Sequence, residues 1–183
     1  DPEAAHQALG KIFDQKKVEE QQEFARVFGE EAFRLVGAIA KMFTDPYKKA
    51  ELTSTAADDY RKLKNKENPS EEDLKAIKDY EKQGLNMGNI DAVIAQARAD
   101  MQKYLEQYDT WKEASPIKTA MHALVGGLQA KYGGGNAAAG AFGAGAAEYS
   151  RDLTKNLSDA EQQWASVIIG GAAAKLAGGN SAE

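Results

Sequence analysis

The residues best equipped for chemistry in this chain are two histidines, His6 and His122. A metal or general-base site would need them to converge with a carboxylate, and neither sits in an HExxH or HxxxH spacing. His122 falls beside an apolar helical stripe, which reads as a packed, hydrogen-bonded histidine. The run Gly133-Gly134-Gly135-Asn136 is rich in glycine. A phosphate-cradling loop would follow a strand and lead into Lys-Ser or Lys-Thr; here a helical pattern precedes it and alanines follow. Glu30/Glu31, Asp58/Asp59 and Glu71/Glu72 are adjacent pairs. Neighbouring side chains on a helix point about 100° apart, so these carboxylates read as surface. Ser54, Ser150 and Ser166 carry no nucleophile signature. Tyr104, Tyr108, Trp111 and Trp164 lie at helical spacing without a basic groove, which favours core packing over base stacking. We expect no catalytic, cofactor-binding or metal site. A hydrolase using Asp14 or His122 has no signature behind it.

The most organised feature is a repeat. Val125–Ala138 recurs as Ile169–Ala182, with Gly126/Gly170, Gly127/Gly171, Gly134/Gly178, Gly135/Gly179 and Asn136/Asn180 among the identical pairs. Such a repeat predicts one supersecondary unit used twice. In the first copy Ile117, Met121, Leu124, Leu128 and Tyr132 share a helix face; in the second Ala165, Ile168, Ala172 and Leu176 do. Each helix then meets Gly-Gly-Asn. Glycine accepts the left-handed conformation that closes a helix, and Asn136 suits the N-cap of a following helix. The mid-helix glycines cost about 1 kcal/mol each against alanine, so close packing of another backbone is expected there. Leucine at Gly127 or Gly171 should then overpack that contact. The second copy stops three residues after Asn180, so the chain reads as a fragment cut within a unit.

The elements that hold these features are read from periodicity and caps. Phe24, Phe28, Ala32, Leu35, Ile39 and Met42 predict an amphipathic helix over residues 1–43, ended by Thr44-Asp45-Pro46. Residues 46–84 are highly charged and predict a solvated helical hairpin turning at Asn68-Pro69-Ser70, where Ser70 and Asp73 form a capping arrangement. Asn89 caps a helix striped by Ile90, Ile94, Ala97, Met101, Tyr104 and Tyr108. Ser115-Pro116 opens the first repeat helix and Ser158 with Glu161 the second. No segment alternates as a strand would. The expected fold is all-α, with about seven helices and two Gly/Ala-rich helical repeat units in the C-terminal third. Composition divides it into an amphipathic and charged region, 1–114, and a Gly/Ala-rich hairpin region, 115–183.

A chain of 183 residues suits one compact domain or two small ones. A net charge of −5 argues against a nucleic-acid partner. With no cysteine there is no disulfide framework. No apolar run approaches the ~20 residues of a bilayer span, and Asp1 opens a polar stretch, so any leader would lie upstream.

Two stretches resemble the pre-toxin region of large exported toxins of the CdiA and filamentous-haemagglutinin type. One is His6-Gln7-Ala8-Leu9 with Ile12-Phe13-Asp14 and Gly29-Glu30. The other is His122-Ala123-Leu124-Val125-Gly126-Gly127, then Gly134 to Ala141, Leu157-Ser158 with Glu161, and Leu176 to Ser181. The resemblance covers residues 5–43 and 119–182; residues 44–114 do not follow the family pattern, and its VENN tetrapeptide is absent. It implies a non-catalytic module upstream of a C-terminal toxin in a contact-dependent inhibition exoprotein, secreted to the surface of a Gram-negative cell. Implied partners are the adjoining toxin domain and exoprotein stalk, an outer-membrane or translocation partner, and a membrane surface, with no nucleic acid. The alternatives are a membrane-active hairpin module assisting translocation and a free-standing helical interaction protein.

Overall fold

A computed structural model describes residues 2–134 and 154–177. Among them the fold is all-α, with five helices: α1 Pro2–Lys64, α2 Glu71–Lys82, α3 Ile90–Trp111, α4 Pro116–Gly134 and α5 Asp159–Leu176. The predicted helix after Asn136 lies outside the described residues.

The break expected at Thr44-Asp45-Pro46 does not occur; α1 runs through Pro46 for 63 residues. Proline lacks the N–H that would bond the Met42 carbonyl. Packing on both sides overrides that loss. Phe43 stacks on Trp111 with ring centroids 6.1 Å apart, and Tyr47 stacks on Tyr108 at 4.2 Å. Thr44 is buried between them in sequence. Elsewhere α1 is supported by ion pairs one turn apart, Arg26 with Glu23 and Glu30, and Arg61 with Asp58. Such pairs contribute about 0.2–0.5 kcal/mol each to a helix.

The chain divides into two compact units, one of residues 1–39 with 114–183 and one of residues 40–113. This differs from the partition at 114 read from composition, because the first 39 residues join the C-terminal region.

In the first unit the buried face of α1 is Ala25, Phe28, Ala32 and Val36. Met121, Leu124, Val125, Leu128 and Tyr132 of α4 and Ala165, Ile168 and Ala172 of α5 are buried with them. Tyr132 meets Phe28 edge-on, with ring centroids 5.4 Å apart. Higher up, His122 stacks on Phe33 at 5.5 Å. These two contacts run in opposite directions along α1 and α4, so the helices are antiparallel. α4 and α5 pack on each other. Ser115 caps α4 through the Lys118 N–H. A complete capping box, Ser158 with Glu161, starts α5.

In the second unit α1 and α3 are also antiparallel: Phe43 meets Trp111, and Arg61 pairs with Asp91. α2 closes one end of this pair over a core of Ala57, Tyr60, Ile77, Ile90 and Ile94. The Tyr60 hydroxyl donates to Glu81 at 3.1 Å. Burial, then this carboxylate neighbour, holds its pKa above the ordinary phenol value. α2 begins with the predicted box: Ser70 Oγ accepts from the Asp73 N–H, and Asp73 Oδ2 accepts from the Ser70 N–H. Lys66, then the Ser70 donors, draw the Asp73 pKa down to about 2. The cap of α3 differs from expectation. Asn89 makes no side-chain cap bond to the helix; its amide instead ties back to Gly84 O and Asn86 N. Asn86 closes the turn before α3, its Oδ1 accepting from the Gly88 and Asn89 N–H groups.

Candidate functional site

Among the described residues, those singled out as possible chemistry do not converge. His122 is exposed and ring-stacked on Phe33, a correction to the packed, hydrogen-bonded histidine read from the sequence. It sits where the apolar stripe of α4 reaches solvent. The side chain of His6 lies outside what the structure describes. The adjacent carboxylates separate around the helix: Glu30 pairs with Arg26, and Glu31 with Arg34. Arg34 holds the Glu31 pKa below its ordinary value. Asp58 takes Arg61 and Arg98. Ser54 is buried, and Ser166 Oγ donates to the Gln162 carbonyl; Ser150 lies outside the described residues. Of the aromatics, Trp111 is buried, and Tyr104, Tyr108 and Trp164 are half-buried. Among the described residues no group of three or more His, Cys, Asp or Glu is placed to hold a metal ion.

The repeat glycines divide by what surrounds them. A Cβ built on Gly171 would meet Leu35 Cδ1 of α1 at 2.9 Å, so α5 approaches α1 closely there. Around Gly126 and Gly170 a Cβ would meet nothing within 4 Å. The expected close approach of another backbone is therefore found at none of these three: Gly171 makes room for the Leu35 side chain, and Gly126 and Gly170 face open space. Gly127 is half-buried and Gly134 is the last residue of α4. Gly135, Asn136, Gly178, Gly179 and Asn180 lie outside the described residues. A contact missed in the sequence is Gly29 of α1, where a Cβ would run into the Gln129 side chain of α4. α1 carries two further glycines, Gly10 and Gly37, which face open space, so residue type alone did not single out Gly29.

An open concavity lies in the second unit. It is an open groove of about 1400 Å³ running along α1 and α3, lined by Met42, Pro46, Leu52, Val93, Ala97 and Tyr104 among others. Met42 was expected in the core and is 59% exposed instead; Leu52 is 70% exposed. The inward face of α1 passes through Val36, Ala40 and Thr44, which turns Met42 outward. Lys48, Lys49, Asp45 and Asp100 edge the groove. Its walls are apolar and its charges stand along the sides, an arrangement suited to holding another helix and lacking convergent acid–base groups.

Comparison of the chain with protein-family models, curated proteins and solved structures finds no match. No helix among the described residues is long and apolar enough to cross a membrane.

Proposed function

We propose that this chain is a non-catalytic pre-toxin module of a contact-dependent inhibition exoprotein, displayed on a Gram-negative cell and helping deliver a C-terminal toxin to its neighbours. One observation carries the reading. The two stretches that resemble the pre-toxin family, residues 5–43 and 119–182, are separated by some 75 residues. Yet 1–39 and 114–183 form one compact unit, and the stretch without resemblance, 40–113, forms the other. A resemblance scattered by chance along a chain has no reason to follow the boundaries of folding units. In this reading residues 40–113 are an insertion between the two halves of the module. The Gly/Ala-rich segments 125–138 and 169–182 are one helical hairpin unit used twice. The partners are the toxin domain and stalk of the same chain, with a translocation partner and a membrane surface engaged during delivery.

The test is a competition assay. In a donor displaying the parent exoprotein, residues 1–183 are exchanged for a flexible linker of equal length. Surface display, read by antibody labelling of intact cells, should persist while growth inhibition of contacting neighbours is lost. Undiminished inhibition would overturn the reading.

A further inference from the structure

We infer that the outward face of α1 between Met42 and Leu52 pairs with the same face of a second copy of this chain. Four residues define it: Met42, Asp45, Lys49 and Leu52, spaced three, four and three apart. That spacing places them on one stripe of the helix. All four line the open groove of the second unit. Met42 and Leu52, at the ends, are among the most exposed large apolar side chains in the structure. Asp45 and Lys49, in the middle, are both exposed, and neither has an ion-pair partner among the described residues.

The stripe reads the same in both directions. Its midpoint is residue 47. A second α1 crossing antiparallel at that point sets Met42 against the other copy's Leu52, and Asp45 against the other copy's Lys49. Every contact is then made twice, as a two-fold axis requires. Apolar side chains meet apolar ones at both ends, and opposite charges meet at the centre. A parallel alignment in register would instead set Asp45 on Asp45 and Lys49 on Lys49. An unrelated partner gives no reason for a stripe with this symmetry, and charge complementarity of the stripe with itself is what selects a second copy.

The extent of the face is also consistent. Further along α1, Tyr60 is buried, and Tyr60 and Lys64 both bond to Glu81 of α2. The open stretch from Met42 to Leu52 is about 15 Å long at 1.5 Å per residue. Two helices crossing at about 50° touch over roughly this length before they diverge. Pro46 stands beside the crossing point and leaves α1 without a side chain long enough to hold the helices apart there.

The experiment is sedimentation velocity on the whole chain over a range of concentrations. The wild type should approach twice its 19.7 kDa mass in the tens-of-micromolar range. Leu52→Asp should sediment as a monomer at the same concentrations. Asp45→Lys and Lys49→Asp should each weaken association about tenfold or more, since like charges then face each other. The double variant D45K/K49D restores opposite charges across the axis and should recover the wild-type midpoint. Leu105→Asp, an exposed apolar position on α3 outside the stripe, should change nothing. All of these side chains are exposed, and circular dichroism checks that each variant stays folded. A chain that is monomeric throughout would overturn the proposal. So would a dimer indifferent to Leu52→Asp, or a double variant no better than its singles.

Discussion

At the scale of single residues, the glycines show how little a residue type says until its surroundings are known. Gly170 and Gly171 are neighbours on α5 and look equivalent in the sequence. The first faces open space, and the second faces Leu35 Cδ1. Alanine at Gly170 meets nothing and removes the backbone freedom that glycine must lose on folding. Gly170→Ala should therefore raise stability by about 0.5–1 kcal/mol. Leucine at Gly171 must displace Leu35 from a packed layer, at a cost of about 1–3 kcal/mol. Thermal melts of the two variants should shift in opposite directions; two shifts of the same sign would mean that the layer between α1 and α5 is misassigned. The same holds for Asn86 and Asn89. Both are good cap residues three apart, and both side chains are spent on the turn before α3, Asn86 on the Gly88 and Asn89 N–H groups and Asn89 on Gly84 O.

At the scale of elements, the fold class was legible and one boundary was not. Periodicity and caps located α2, α4 and α5 because those signals are local: Ser70 with Asp73, Ser115 with Pro116, Ser158 with Glu161. The continuation of α1 through Pro46 was hidden because its cause is tertiary. Phe43 and Tyr47 find aromatic partners on α3 more than 60 residues later, and no local pattern announces them. For the same reason Met42 read as core when the inward face had already turned past it. A helix held through a proline by packing alone carries an avoidable cost. Pro46→Ala restores the donor to the Met42 carbonyl and relieves the ring clash, and should stabilise the chain by about 1–3 kcal/mol. Urea unfolding followed by circular dichroism measures it. An unchanged or lowered midpoint would show that α1 needs the proline for its packing on α3.

At the scale of the whole molecule, the decisive feature is that the first unit is assembled from the two ends of the described chain. Its α1 portion presents Ala25, Phe28, Ala32 and Val36 to partners that arrive only with α4 and α5. A helix whose apolar stripe lacks partners has only weak intrinsic propensity to hold it in water. The second unit draws its core from residues 57–94 and its aromatic stacks from residues 43–111, all within one continuous stretch. The two units should therefore respond differently to truncation. In a chain of residues 1–113, amides of residues 60–94 should keep their hydrogen-exchange protection, because every buried partner is still present. Amides of residues 20–36 should lose most of theirs, because Tyr132, Leu128 and Ile168 are gone. Trp111 is the one tryptophan left in that chain. Its emission should still report a buried indole stacked on Phe43. Equal protection of residues 20–36 in the full and truncated chains would mean that α1 stands without the C-terminal helices. The pairing of the two resembling stretches would then lose its physical basis.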